Sequence, residues 1–150
     1  MAVGSVGQVF ISLWVTGGAE SDYDELERVQ AIFIEANPKF VSMAIVAKVV
    51  TDATANEIAK RRGVALVKRF STNIQASAVA IPVPGIGGTV ARSFTAAFNL
   101  MSGAKYPNKV FAEVVEATEW LKSLTLDGVK IGDSRQLASE IESFMKSFAR

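Results

Sequence analysis

The chain has 150 residues, of which 49% are hydrophobic, with 16 Lys and Arg against 15 Asp and Glu and neither Cys nor His. Without Cys and His, the chain cannot have a thiol nucleophile, a histidine base, a disulfide or the usual zinc and transition-metal sites. The length predicts one domain, residues 1–150, that buries about two thirds of its unfolded surface.

The sequence carries no pattern typical of a targeting or membrane segment. The apolar run from Val9 to Val15 has no Lys or Arg before it, whereas a secretory signal needs a positive region there. The longest uncharged stretch, 71–91, contains glycines, prolines and polar residues and is too polar for a membrane helix. We therefore expect a soluble cytoplasmic protein with no transmembrane segment.

Strands and helices alternate in the predicted order of elements. The predicted elements are a strand at 8–16, a helix from 21 to 36, a strand at 40–50, a helix from 54 to about 70, a strand at 74–83, a helix after 85–89 that ends near 102, a strand at 109–112, a helix at 114–124 and a last helix from about 134 to 148. A shorter second helix ending at Arg62, with an extra strand at 64–67, is the alternative. The alternation predicts an α/β fold with a mostly parallel sheet of about four strands.

Three segments of the chain resemble a known family. The opening strand ends in Thr16-Gly17 before an acidic helix start at 20–24, the strand at 43–50 leads directly into a helix at Thr54, and Lys109-Val-Phe111 is followed by Glu116-Ala117-Thr-Glu-Trp120-Leu121. In these features the chain resembles the STAS group, the anti-sigma-factor-antagonist-like domains, and above all its stand-alone bacterial members, whose fold is akin to the lipid-binding CRAL-TRIO domain. The resemblance covers about residues 8–124, and 125–150 form a linker and a C-terminal helix.

The resemblance implies a non-enzymatic module without a cofactor. The first hypothesis is a regulatory protein that binds another protein or, as a homodimer, a second copy of itself. The alternative is a small carrier of a lipid or another apolar ligand.

The resemblance also implies a switch at the junction before the second helix. In the antagonist proteins a partner kinase phosphorylates a Ser or Thr there, and Thr54, with Thr51 nearby, takes that place in this chain. A phosphate would add a charge of about −1.5 to −2 at a helix N-terminus. Here the family's Asp-Ser-Ser-Gly stretch is replaced by Asp52-Ala-Thr54-Ala. The alternative is that Thr54 only caps the helix, in a capping box with Glu57.

A glycine-rich loop precedes the third predicted helix. Backbone amides of such a loop can bind an anion, and the candidate residues are Gly85, Gly87, Gly88, Thr89 and Arg92. No Lys precedes Thr89, so the loop is not a Walker motif, and it lacks the third glycine of G-x-G-x-x-G. The alternative is structural, because glycine permits a tight turn and a close approach of the helix to the sheet.

The third helix also carries large apolar residues at helical spacing. Phe94, Phe98 and Met101 are candidates for an apolar pocket, with Trp14 of the opening strand as one wall. A pocket would need about 300 Å³ or more beneath this helix. The alternative is that the same stripe is ordinary core.

Charged residues are unevenly distributed along the chain. An acidic run occupies 20–27 and a basic run 60–69, which indicates either solvated helix faces or a surface that docks an acidic protein or a lipid head group. No aromatic residue lies among the bases, so nucleic acid is not expected as a partner. No pair of carboxylates stands in an apolar segment, so we do not expect an enzyme.

Overall fold

The structure, a computed structural model, describes residues 1–148. The elements, in chain order, are β1 (Ala2–Val6), β2 (Val9–Trp14), α1 (Glu20–Ala36), β3 (Phe40–Val46), α2 (Ala53–Arg69), β4 (Ile74–Ala80), α3 (Gly85–Met101), β5 (Asn108–Phe111), α4 (Val114–Ser123) and α5 (Ser134–Phe148). Strands β2 to β5 run parallel in that order, and β1 adds an antiparallel edge beside β2. The predicted α/β fold with a mostly parallel sheet is confirmed.

The sheet begins with a hairpin rather than with one strand. The predicted opening strand at 8–16 is present as β2, but it is preceded by β1, which was not predicted and which pairs with β2 across a two-residue turn. Gly7 in this turn has a φ of 56°, which glycine adopts without strain. Gly4 interrupts the apolar pattern of β1, so the segment resembles a loop in the sequence. A Cβ on Gly4 would lie 2.7 Å from the Phe144 ring of α5, which explains the glycine.

The tightly packed core lies on the face of the sheet that α4 and α5 cover. Alternate residues of the central strands point to this face and are almost inaccessible to solvent: Val9, Ile11 and Leu13 of β2, Val41, Met43 and Ile45 of β3, and Ala76, Ala78 and Ala80 of β4. Leu121 of α4 and Ile141 of α5 pack against them and are fully buried. The C-terminal helix therefore belongs to the core of the domain.

The opposite face of the sheet, under α1, α2 and α3, is packed less completely. The strand order follows the chain order, and parallel crossovers are as a rule right-handed, so α1, α2 and α3 lie on one face. Phe10 and Phe40, near the amino ends of their strands, pack against α1. Toward the carboxyl ends the same face carries small residues such as Ser12 and Ala44. In α2 no residue is fully buried, and in α3 only Gly88 is.

Helix α2 has the longer of its two predicted lengths. It runs without a break from Ala53 to Arg69, and no strand forms at 64–67. Gly63 costs the helix some intrinsic stability, but it allows α3 to approach closely. A Cβ on Gly63 would lie 3.2 Å from Cζ of the Phe98 ring.

Two central strands end earlier than their apolar runs predict. β3 ends at Val46 rather than at 50, and β4 ends at Ala80 rather than at 83. Pro82 thus follows β4, as expected for a residue that cannot donate a hydrogen bond to an interior ladder. The apolar residues beyond the strand ends line a pocket instead: Val49, Val50 and Ile81.

The acidic and basic runs pair with each other across α1 and α2. Arg62, whose side chain is 15% exposed, lies 3.0 Å from Glu20, 2.8 Å from Asp24 and 3.2 Å from Glu27. Arg69 also binds Glu27. Arg62 is therefore held among carboxylates of the same chain rather than in solvent, whereas the half-exposed Arg69 agrees with a solvated helix face. A docking surface on the basic run stays a prediction. The network fastens α2 to α1.

The cap of α2 differs from the predicted one. The predicted helix start at Thr54, in a capping box with Glu57, is wrong, because the helix begins at Ala53 and Asp52 is its N-cap. Asp52 Oδ1 accepts a hydrogen bond from the backbone N of Ala55 at 2.8 Å. Asp serves this role as well as Ser or Thr, and Asp52 lies two residues before the predicted cap Thr54.

We expect Asp52→Ala to lower the free energy of unfolding by about 1 kcal/mol, because an amide of the first turn of α2 loses its acceptor. Thr54→Ala, in the same turn, is the matched control and should change this free energy by less than about 0.5 kcal/mol. Urea unfolding followed by circular dichroism measures both. A larger loss in Thr54→Ala than in Asp52→Ala would contradict this assignment of the cap.

Candidate functional site

A pocket of about 530 Å³ lies beyond the carboxyl ends of β2, β3 and β4, between α2 and α3. Trp14 and Val46, the last residues of β2 and β3, are paired in the sheet and both line it. Ile81, the first residue after β4, lies beside them. The volume falls within the range of about 300–1,000 Å³ that is typical of small-molecule sites.

The lining of this pocket is mainly apolar. The other lining residues are Thr16, Gly17 and Gly18 after β2, Tyr23 of α1, Lys48, Val49, Val50 and Thr51 after β3, Ala55, Asn56 and Ala59 of α2, and Gly87, Val90, Ala91, Phe94 and Thr95 of α3. Among the described lining residues Lys48 alone carries a charge. Alanines at 55, 59 and 91 take little volume, so the two helices leave space between them.

One wall of the pocket is aromatic. The ring centroids of Trp14 and Tyr23 are 4.9 Å apart, and Trp14 Nε1 donates to Ser12 Oγ at 3.1 Å. A Cβ on Gly18 would lie 2.7 Å from both rings, so glycine lets the loop pass against them. Burial, with a smaller effect from Asp22, raises the pKa of Tyr23 to about 12. Its phenol therefore stays protonated and neutral at physiological pH.

The four predicted pocket residues do not all meet in this cavity. Trp14 and Phe94 line it, whereas Phe98 and Met101 do not. Phe98 packs against Gly63 of α2, and Met101 is 79% exposed. Phe94 is itself 50% exposed, which places it at the entrance. The alternative interpretation of the α3 stripe as core is wrong for Phe94 and Met101.

The two candidate phospho-acceptors lie in different surroundings. Both are exposed, but Thr51 lines the pocket, whereas Thr54 lies in the first turn of α2 and outside the pocket. The Asp52 carboxylate already accepts a hydrogen bond from the backbone N of Ala55. A phosphate on Thr54 would meet this negative charge at the start of the helix, which opposes its binding there. The switch at Thr54 stays a prediction.

The candidate anion loop makes contacts within the chain. Arg92 Nη1 donates to the backbone oxygens of Ile81 at 3.0 Å and Val83 at 3.2 Å, and its Nη2 donates to Thr89 Oγ1 at 3.2 Å. A Cβ on Gly88 would lie 1.7 Å from the Val83 oxygen. Arg92 thus ties the end of β4 to α3, and Gly88 allows the close approach that the structural alternative expects.

The other residues of this loop shape the start of α3. Gly85 has a φ of 76°, a left-handed conformation that favours glycine, and its backbone oxygen accepts a hydrogen bond from Thr89 Oγ1 at 3.2 Å. Gly87 lies against the pocket. These contacts account for the loop without an anion, and the anion site stays a prediction.

A second cleft, of about 680 Å³, lies on the other side of α3, against β5 and α4. It is larger but more open, and its lining includes Arg92, Lys109, Glu116 and Glu119. Arg92 is engaged with backbone oxygens, and the remaining charges are of both signs. The pocket between α2 and α3 is less open and has a mainly apolar lining, so it is the better candidate site.

The described residues, 1–148, contain no cluster of acidic side chains that could hold a metal ion. None of their helices is both long and apolar enough to cross a membrane. Comparison of the chain with protein-family models, with curated proteins and with solved structures gives no match. Function is therefore argued from the geometry of the pocket, and the kinship to the STAS-like group stays a proposal.

The contribution of α2 to the pocket was missed from the sequence. Ala55 and Ala59 are spaced by one helical turn and face the cavity together with Ala91 of α3. Alanines at this spacing indicate only a good helix when the sequence is read alone. Whether these alanines line a cavity depends on the distance between α2 and α3, which the sequence does not give.

We expect Gly88→Ala to lower the free energy of unfolding by about 1–3 kcal/mol, because the new methyl group would collide with a backbone oxygen and push α3 outward. Gly87→Ala is the matched control, since a Cβ at Gly87 meets nothing within 4 Å. It should leave stability unchanged or raise it by up to about 1 kcal/mol. Equal stability of the two variants in urea unfolding would contradict the close contact.

Proposed function

We propose that this chain is a non-enzymatic module that binds a small apolar or amphipathic molecule in the pocket between α2 and α3. The observation that carries the proposal is the partly open, mainly apolar pocket of about 530 Å³ at the carboxyl ends of three parallel strands. Ligands of α/β proteins commonly bind outside the carboxyl ends of the strands. The proposal agrees with the apolar-ligand alternative that the family resemblance implies.

Exposed apolar area at the entrance supports binding of an apolar molecule. Val90 is 62% exposed and Phe94 is 50% exposed, and both line the pocket. A ligand between them and Trp14 would remove this surface from water, at about 25 cal/mol for each Å² of apolar area. Burial of this kind is the main source of affinity in small-molecule sites.

The chemistry of the lining favours binding over catalysis. The hydroxyl groups of Thr16, Thr51 and Thr95 line the pocket, but no described lining residue is a carboxylate that could act as a general base for them. Thr95 Oγ1 donates to the backbone oxygen of Ala91 at 2.8 Å. Tyr23 is held protonated by its raised pKa. These groups can orient a ligand through hydrogen bonds.

We expect Ala59→Phe to weaken binding of decanol at least about tenfold, because the larger side chain fills the space that a ligand tail needs. Ala65→Phe is the matched control, since Ala65 is exposed on the same helix and lies outside the pocket. Tryptophan fluorescence measures binding in a Trp120→Phe background, where Trp14 is the reporter. Equal decanol affinity of Ala59→Phe and Ala65→Phe, or no saturable binding by the parent protein, would contradict the proposal.

A second candidate function is self-association, favoured by the outer face of α3. Ile86, Leu100 and Met101 are 84%, 86% and 79% exposed and lie outside the pocket. The charged residue of this helix, Arg92, donates to the backbone oxygens of Ile81 and Val83, so its side chain points toward the end of β4 rather than toward these exposed apolar residues. A second copy of the chain would cover these residues through a symmetric contact.

We expect the double variant Ile86→Lys, Met101→Lys to be monomeric where the unchanged protein is a dimer, because charge would be brought into the apolar contact. Ile32→Lys, at a residue that is 55% exposed on α1, is the matched control and should remain dimeric. Sedimentation velocity at high micromolar concentration measures all three. A monomeric unchanged protein, or a double variant that stays dimeric, would contradict self-association through α3.

A further inference from the structure

The described lining of the pocket carries a positive charge and no negative one. Lys48 is the charged residue of the described lining, and no described carboxylate belongs to that lining. Its polar neighbours, Thr16, Thr51 and Asn56, are neutral. A ligand in the pocket would therefore meet one positive charge and no opposing negative one.

Lys48 is placed to act at the entrance rather than in the interior. It follows the end of β3, its residue is exposed, and it forms no ion pair with any residue between 1 and 148. An exposed ammonium stays hydrated and costs the fold nothing, while its carbon stem can lie along an apolar wall.

The other basic residues near the pocket already have partners. Lys60 lies 3.2 Å from Glu57, and Arg62 is surrounded by three carboxylates of α1. Asp52, four residues after Lys48, caps α2 and does not line the pocket. Lys60 also lies near the entrance, with its Nζ 5.4 Å from the centre of the Phe94 ring, but it does not line the pocket. Lys48 is thus the cation of the described lining, and it has no ion-pair partner among residues 1–148.

We propose that the ligand is an anionic amphiphile, with an apolar tail between α2 and α3 and a carboxylate or similar anionic head at Lys48. This inference rests on the proposed function and adds the chemical class of the ligand. The tail would contact Trp14 and Phe94 in the pocket, and the head would remain partly in water beside the ammonium group. Such a charge pair contributes selectivity more than affinity, because it is exposed.

The test compares three probes with the same ten-carbon tail: decanoate and decyltrimethylammonium, each below its micellar concentration, and decanol below its solubility limit. The Trp120→Phe background again makes Trp14 the reporter. At low ionic strength we expect decanoate to bind about fivefold more tightly than decanol and the cation to bind most weakly. Added salt should reduce the preference for decanoate, because it screens exposed charges.

Lys48→Met should remove the preference for decanoate and leave the affinity for decanol within about twofold, because the tail contacts are kept. Lys48→Arg should retain the preference. Lys68→Met is the matched control, since Lys68 is exposed, lies outside the pocket and changes the net charge equally.

The outcomes separate the two proposals. Saturable decanol binding without a preference for decanoate, or a preference that survives Lys48→Met, would overturn the role of Lys48 and leave the apolar pocket standing. No saturable binding by any of the three probes would overturn the proposed function itself. An equal loss of preference in Lys68→Met would assign the effect to net charge rather than to Lys48.

Discussion

Small side chains between α2 and α3, at the carboxyl ends of the parallel strands, are the constraint on which the site depends. Ala55 and Ala59 of α2 and Ala91 of α3 line this space. The neighbouring face of the sheet is also small there, with Ser12 of β2 beside Ala44 of β3. A close-packed interior would fill such space, since cores normally have the density of organic crystals. Here the large aromatic residues Trp14 and Phe94 lie at the border of the space and do not fill it. The result is a pocket rather than a core.

The pocket stays open because α2 and α3 are held in position by contacts outside it. Arg62 ties α2 to three carboxylates of α1, and Arg92 ties α3 to the backbone that leaves β4. Gly63 and Gly88 set how closely α3 lies against α2 and against that backbone. The opposite face of the sheet, under α4 and α5, contains the dense core and supplies most of the hydrophobic burial. Stability and binding are thus assigned to different faces of one sheet.

Much of the fold could be predicted from the sequence, because it is encoded in local periodicity. The long apolar run of β3 and the amphipathic stripe of α5 identify their elements within a few residues. β1 was not predicted because Gly4, which makes room for the Phe144 ring, interrupts the apolar pattern of this strand. The cap of α2 was misassigned because Asp52 and Thr54 are both good N-cap residues, and local pattern does not choose between them.

The site was harder to predict than the fold, since it depends on distances between elements that are far apart in the chain. Trp14 and Phe94 could be named because large aromatic residues are conspicuous, whereas Ala59 and Lys48 are ordinary residues whose position gives them their role. The acidic and basic runs were visible, but their mutual pairing required the packing of α1 on α2. Residues that only complete a cavity leave no local signal.

The most direct test is a two-dimensional amide NMR spectrum of the labelled protein, recorded during titration with decanoate. We expect chemical-shift changes to concentrate at the Trp14 indole and at the backbone of 16–18, 48–59 and 87–95, with little change in β1 and α5. Shifts confined to the outer face of α3, or scattered over the surface, would contradict the account of the pocket as a ligand site.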